Sequence, residues 1–177
     1  MKKRFTLLSL LCFAAASQAQ LTQPGDIAFV GFNADGDDDI AFVTLRDITP
    51  ATNIYFCDSE WNGTGFGTDE GDFTWTSPGT TVPAGSIITI NSLSAAISTN
   101  IGSITLNNAG GLSASSDAMF AFLGTAPRVA TTMLAAIGNS AAAFGTLEGS
   151  GLFAATTAVT LPEGADLGVY NGPRTGL

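Results

Sequence analysis

Short runs of apolar and β-branched residues alternate along this chain with clusters of Gly, Pro, Asn and Asp. The runs have the composition of β-strands, and the clusters between them have the composition of turns. Many short strands divided by turns are typical of an all-β sandwich or barrel. The pattern predicts nine strands: Asp26–Asn33, Asp39–Asp47, Thr52–Asp58, Asp72–Ser77, Ser86–Ser92, Ser103–Leu106, Asp117–Gly124, Val129–Ile137 and Ala155–Leu161.

The spacing of apolar residues within a run predicts how its strand is buried. The first two runs share Asp-Ile-Ala-Phe-Val and carry apolar residues at odd and even positions alike, which predicts central strands covered on both faces. Strict alternation from Phe73 to Thr76 predicts that Phe73 and Trp75 face the core. The alanine-rich segment Ala141–Phe144 follows a Gly-Asn-Ser turn and is compatible with a short helix.

The first nineteen residues have the features of an export signal. Residues 1–4 are basic, residues 5–16 are apolar, and residues 17–19 place small side chains where a signal peptidase reads them. We therefore expect a signal peptide over residues 1–19 and a single domain over residues 20–177, secreted or held at the cell surface. The apolar run is shorter than the roughly 20 residues of a membrane-spanning helix, so no span is expected after cleavage.

The mature chain is strongly acidic. Cleavage leaves Arg46, Arg128 and Arg174 against fifteen acidic residues, a formal charge of −12. That sign opposes nucleic-acid binding, which uses Lys and Arg to displace counterions from phosphates. With Cys12 removed, Cys57 has no partner for a disulfide within the chain, and we expect it to be a small buried apolar residue.

The chain lacks histidine and has no lysine after Lys3. This removes Ser-His-Asp and Cys-His catalysis, histidine-ligated zinc and Schiff-base chemistry. Carboxylates remain, and a glycosidase needs only two of them, about 5 to 10 Å apart. We therefore predict that the protein is not an enzyme, with a carboxylate-based glycosidase as the alternative. The acids closest in sequence to Trp61 and Trp75, which suit stacking on a sugar, are Asp58, Glu60, Asp69, Glu70 and Asp72.

An acidic turn joins the first two predicted strands. Asn33-Ala34-Asp35-Gly36-Asp37-Asp38-Asp39 carries five oxygen-bearing side chains in seven residues, and calcium prefers hard oxygen ligands. An EF-hand loop would have glycine where Asp38 stands and glutamate where Thr44 stands. Two interpretations stay open: a solvated hairpin turn, or a calcium site. The candidate calcium ligands are Asn33, Asp35, Asp37 and Asp39.

A glycine-rich loop, Asp58–Asp72, is the second polar segment with candidate chemistry. Long loops within compact domains are usually functional or mobile. Trp61 either plugs one end of the sandwich or belongs to a recognition surface, where aromatic residues supply much of the binding energy. In the second case Trp61, Phe66, Asp58 and Glu60 are the candidate ligand-binding residues, and the partner is an extracellular polysaccharide or surface protein.

Five segments together resemble a known kind of module: Gly25–Asn33, Asp39–Val43, Asn53–Phe56 leading to Glu60-Trp61, Val82–Gly85 and Val169–Leu177. The chain resembles N-terminal modules of large secreted or surface proteins of Bacteroidota and cyanobacteria, and the lamin-tail-like, immunoglobulin-type sandwich. The resemblance implies an antiparallel β-sandwich and carries no catalytic residue. In relatives the last segment runs on, so we expect the native protein to continue beyond Leu177.

Taken together, these observations predict a non-catalytic β-sandwich module, secreted or at the cell surface, for binding, adhesion or spacing, with calcium as a candidate stabiliser. The alternative is an accessory domain of a secreted hydrolase, or a carboxylate-based glycosidase. A purely structural envelope component is a third interpretation. Composition and pattern leave the ligand, the oligomeric state and the strand order open.

Overall fold

The computed structural model describes residues 20–173. The predicted signal peptide and the last four residues, Arg174 to Leu177, lie outside the described residues. The described part is 44% strand and 2% helix, which confirms the all-β prediction. Its elements are β1 Ile27–Asn33, β2 Asp39–Thr44, β3 Asn53–Cys57, β4 Asp72–Thr76, β5 Ile87–Asn91, β6 Ser98–Thr99, β7 Ser103–Asn108, β8 Ala118–Ala126, β9 Val129–Gly138, the 3-10 helix η1 Ala142–Phe144, β10 Ala158–Thr160 and β11 Leu167–Val169.

Two sheets pack face to face as a sandwich. The first sheet has the order β11-β1-β2-β5-β6 and the second the order β10-β9-β8-β3-β4-β7. All strand pairs are antiparallel except β9 with β10, which run parallel. The two strands that share Asp-Ile-Ala-Phe-Val, β1 and β2, lie inside the first sheet, as predicted, and pair with each other. The prediction that both of their faces are covered was wrong, because fully buried residues alternate with partly exposed ones along both strands.

Aromatic side chains from both sheets fill the space between them. Phe42 of the first sheet lies 5.6 Å from Phe56 and 5.7 Å from Trp75 of the second, measured between ring centroids. Phe56 stacks on Phe73 at 4.7 Å, and the Trp75 indole donates to the Ile101 carbonyl at 2.7 Å. Full burial of each such ring contributes about 1.5 to 3 kcal/mol. Phe73 and Trp75 are therefore core residues, as their alternation predicts.

The outer face of the second sheet carries a second apolar cluster. Phe120, Phe122 and Met133 of β8 and β9 lie there beside Cys57, under the segments that contain Trp61 and Phe144. This covering explains why β8 is apolar at consecutive positions, since a strand buried on both faces has no solvent side. Cys57 is fully buried, as predicted, and burial raises the pKa of its thiol to about 11.

The elements that differ from prediction are the shortest ones. The two-residue β6 and the three-residue β11 were not predicted, because two or three residues are too few to show a periodic pattern of apolar positions. The last predicted strand shrinks to β10, since Ala155 has a φ of 61° and forms part of the turn before it. The short helix forms at Ala142–Phe144. Within residues 20–173 every helix is too short, or too polar, to cross a lipid bilayer.

Candidate functional site

The loop between β3 and β4 folds over the outer face of the second sheet. The ring of Trp61 packs edge-on against Phe66 at 5.0 Å, and Phe66 stacks on Phe122 at 5.0 Å. The Trp61 backbone bonds to Phe144 and Thr146. Trp61 is only 7% exposed, so its ring belongs to the cover over the outer face of the second sheet, which favours a structural role for it.

Arg128 clamps this loop to the sheet. Its Nε donates to Asp72 Oδ1 at 2.8 Å, and one terminal nitrogen donates to Ser59 Oγ at 3.0 Å. The remaining guanidinium bonds go to the carbonyl oxygens of Gly67 and Glu70. One side chain thus joins three points of the loop and the first residue of β4.

The position of Arg128 depends on the β8–β9 hairpin. Arg128 occupies the hairpin turn after Pro127, with a φ of 62°. Three register shifts after Ala121 interrupt the pairing of β8 with β9, and such irregularities bend a strand pair. Sequence analysis assigned Arg128 no role beyond its charge. The sequence held one usable signal for Arg128. The chain has few basic residues, so a buried carboxylate has very few cations with which to pair.

Asp58 occupies the inner side of the same end of the sandwich. It is 4% exposed, and no hydrogen-bond partner for its Oδ1 is found within residues 20–173. It lines a pocket of about 10 Å³, close to the minimum for one water molecule. Gly71 and Gly110 cross beside it so closely that a Cβ at Gly110 would meet the backbone of Gly71. A sugar ring therefore has no room at Asp58 in this conformation.

Burial is the main electrostatic influence on Asp58. Desolvation, followed by the charges of Asp117 and Glu70, raises the pKa of Asp58 to about 8, and Arg128 opposes this only weakly. Glu60, two residues further on, is exposed. The two acids that would serve a glycosidase thus lie in opposite environments.

Two further aspartates hold the loop that follows β7. Asp117 Oδ2 accepts from the Ser113 amide at 2.5 Å and Oδ1 from the Ala118 amide at 2.7 Å. Asp38, from the opposite sheet, accepts from the Leu112 amide at 3.0 Å. Burial raises the pKa of Asp117 although these amides lower it. Asp117 lies nearly sixty residues from Asp58 in the chain, and the sequence offered no signal for their proximity.

Glu70 completes this group of acids. Its Oε2 is buried, and the described part of the chain offers that oxygen no hydrogen-bond partner. Desolvation raises the pKa of Glu70, and the negative charges of Glu60, Asp117 and Asp69 raise it further. Asp58, Glu70 and Asp117 therefore form a cluster of mutually repelling carboxyl groups, called here the acid cluster.

The acidic turn between β1 and β2 has the geometry of a hairpin. Asn33 Nδ2 donates to Asp39 Oδ2 at 3.1 Å, and Asn33 Oδ1 accepts from the Asp35 amide at 3.1 Å. The other Asp39 oxygen accepts from the Ser92 amide at 3.0 Å. Asp35 and Asp37 are exposed. Across residues 20–173, no group of three or more His, Cys, Asp or Glu side chains is placed to hold a metal ion, and calcium binding at this turn stays a prediction.

An apolar groove of about 230 Å³ shares no lining residue with the pocket beside Asp58. Ala28 and Phe29 of β1, Leu45 after β2, Ala135 and Ala136 of β9, and Val159 of β10 contribute to its walls. Sequence analysis did not predict this groove, because its walls come from four separate segments.

No family model matches this chain, and comparison with curated proteins and with solved structures finds no significant relative. The resemblance to lamin-tail-like modules therefore stays a prediction. The sandwich fold itself rests on the two packed sheets.

Proposed function

We propose that this protein is a non-catalytic binding module, secreted or at the cell surface, that takes up an extended polypeptide segment of a basic partner protein. The observation that carries the proposal is the apolar groove beside an unpaired stretch of β1. Adhesion to another surface protein is the role that best suits such a module.

The edge of β1 supports a polypeptide as the ligand. β11 pairs with β1 only at Gly31, Phe32 and Asn33, and among the described residues no strand forms a hydrogen-bonded ladder with that edge of Ile27–Phe29. β9 packs close to β1 there, and the Gly25 amide donates to the Leu134 carbonyl at 2.8 Å. An unpaired strand edge presents main-chain groups that an extended peptide can satisfy by adding a strand. A polysaccharide offers no matching main-chain ladder.

The rim of the groove supports an apolar contact. Leu45 is 53% exposed and Val159 is 37% exposed. Phe153, 68% exposed, is tied to the groove residue Thr157 by a backbone bond of 2.9 Å. Exposed apolar side chains around a concave site are typical of protein interaction surfaces.

The charge of the chain supports a basic partner. The formal charge is −9 for the whole sequence and −12 for the predicted mature chain, and either value attracts cationic partners and accelerates their encounter at low salt. The same charge repels anionic polysaccharides.

The test is selection of extended peptides from a displayed random library, followed by affinity measurement with fluorescence polarisation. We expect basic, apolar peptides whose binding weakens at least about tenfold in Leu45→Asp and Val159→Asp, which corresponds to about 1.4 kcal/mol. Val129→Asp is the matched control, since Val129 is 51% exposed, close to the value for Leu45, but lies six residues, about 20 Å, along β9 from Ala135.

Two results would overturn the proposal. The first is peptide binding that is insensitive to Leu45→Asp and Val159→Asp. The second is polysaccharide turnover that is lost in Asp58→Asn or Glu60→Gln, which would favour the glycosidase alternative.

A further inference from the structure

The outward side of the first sheet is apolar and open to solvent. Phe32, Phe42 and Ile88 are buried in the core, so the alternate residues of their strands lie on the opposite, outward side. This outward surface, called here the open face, consists of Gly31, Ala41, Val43, Ile87, Thr89, Leu167 and Val169. All seven keep part of their surface exposed, so the described part of the chain leaves the open face uncovered.

Strand pairing arranges the open face in uncharged rows across the sheet. Residues that pair directly lie on the same side of a sheet. The longest row consists of Val169, Gly31, Ala41 and Thr89. A Cβ at Gly31 would lie 3.1 Å from the Cβ of Ala41, so the side chains at the centre of the row are small and close together. The result is a low, uncharged surface.

The sequence of β2 is typical of a strand that is covered on both sides. An antiparallel strand with one solvated side normally alternates apolar and polar residues. β2 instead places Ala41 and Val43 on its solvent side. β8 is also apolar at consecutive positions, and there the Trp61 loop covers the outer face of the second sheet. The open face has the same apolar character, and its cover has to come from another molecule.

Charge and shape favour a second copy of this chain as that molecule. The nearest carboxylate along β2 is Asp39, whose two oxygens already accept hydrogen bonds from Asn33 and Ser92. A basic segment therefore finds no acidic residue to pair with in the open face, whereas two uncharged faces meet without opposing like charges. A sheet surface also suits another sheet surface, because stacked sheets pack about 10 Å apart.

We propose that two copies of this chain stack through their open faces as a weak, reversible dimer. A five-stranded sheet with strands about 4.8 Å apart and a length of about 20 Å along β2 offers about 500 Å² on each copy. The pair then buries about 1,000 Å², which is the lower limit for a specific interface and suits a transient one. Two-fold symmetry brings the same face of each copy into contact, and an axis that reverses the strand direction keeps the two Asp39 carboxylates apart.

Salt separates this dimer from peptide binding in the groove. The groove shares no lining residue with the open face. A formal charge of −9 on each copy repels the other copy, and salt screens that repulsion, so the dimer should become tighter as salt rises. Binding of a basic peptide should become weaker under the same change. The two proposals therefore stand independently.

The test is sedimentation velocity of the purified protein over a range of concentrations, at low and at high sodium chloride. We expect a monomer–dimer equilibrium whose Kd falls as salt rises. Ala41→Glu and Val169→Glu should each raise that Kd at least about tenfold, because each places a charge in the contact. Val129→Glu is the matched control, since Val129 is 51% exposed but lies on β9 of the second sheet. It should leave the Kd unchanged.

A second measurement covers the case in which Ala41→Glu fails to fold. Association of folded copies makes the melting temperature rise with protein concentration, so the native protein can be tested without any substitution. Val169 is 68% exposed, and Val169→Glu should fold and lose this concentration dependence. A native protein that sediments as a monomer throughout would overturn the proposal. So would a dimer that survives in Ala41→Glu and Val169→Glu but is lost in Leu45→Asp, because the copies would then meet through the groove.

Discussion

Replacing Asp58 by asparagine should make the protein more stable at alkaline pH when divalent cations are removed. Asparagine has nearly the same shape as a protonated aspartate but cannot ionise. Asp58 is 4% exposed, with Oδ1 unpartnered among the described residues, so its charged form is strongly disfavoured in the folded protein. The native protein must lose stability when this group ionises, and the variant avoids that loss.

The magnitude follows from the change in pKa. Folding raises the pKa of Asp58 from 3.8 to about 8. Each pKa unit is worth about 1.4 kcal/mol, so the full shift corresponds to about 6 kcal/mol. Movement of side chains and entry of water reduce such penalties, and we therefore expect about 3 kcal/mol.

The sign is fixed by proton binding. Between pH 4 and pH 8 the folded protein keeps the Asp58 proton while the unfolded chain has lost it, so stability falls as pH rises. The stabilising contribution is complete below pH 3.8 and is lost as the pH passes through about 8. Glu70 and Asp117 also have raised pKa values and add slopes of the same sign in both proteins.

Urea unfolding in EDTA between pH 5 and pH 9 would measure this effect as a difference between native protein and Asp58→Asn. We expect the difference to grow with pH in favour of the variant. Glu60→Gln is the control, because Glu60 is exposed and should change the pH dependence little. Parallel stability curves for native protein and Asp58→Asn, within about 0.5 kcal/mol, would refute the reasoning.

Three further experiments by urea unfolding test the packing of this loop and the solvation of the acidic turn. Arg128→Ala should lower the free energy of unfolding by about 3 to 5 kcal/mol, because it leaves the buried Asp72 carboxylate without its cation. The double variant Arg128→Ala/Asp72→Asn should recover part of that loss. If the losses of the two single variants simply add in the double variant, Arg128 does not clamp the loop through Asp72. Trp61→Ala should cost about 3 to 5 kcal/mol as a buried plug, whereas a loss under 1 kcal/mol would indicate an exposed ring. The double variant Asp35→Asn/Asp37→Asn should stay within about 0.5 kcal/mol, and a larger loss would show that the acidic turn does more than face solvent.

Much of the sandwich was predictable because its signals are local. The alternation of apolar and polar residues correctly predicted Phe73 and Trp75 in the core. The apolar residues of the repeated Asp-Ile-Ala-Phe-Val correctly predicted that β1 and β2 lie inside a sheet. The strands β6 and β11 were not predicted, because each forms only by pairing with a longer neighbouring strand. Two or three residues become a strand when a longer partner aligns them, and no periodicity records that.

The candidate site was predictable only in part. The loop Asp58–Asp72 attracted attention through its length and its aromatic residues, and Trp61 left two interpretations open. Burial against Phe66 favours the structural interpretation. The raised pKa of Asp58 comes first from burial and then from the charge of Asp117, which lies nearly sixty residues later in the chain.

The sequence by itself determined the class of the protein: an acidic, histidine-free chain whose apolar spacing permits strands and little else. Only the tertiary structure decided which carboxylates are solvated and which are buried without partners, where Arg128 acts, and where two sheet edges leave an apolar groove. The physical reason is the separation along the chain over which each interaction acts. Backbone preference and apolar periodicity act between near neighbours in the chain, whereas desolvation and charge pairing depend on residues that meet only when the two sheets close.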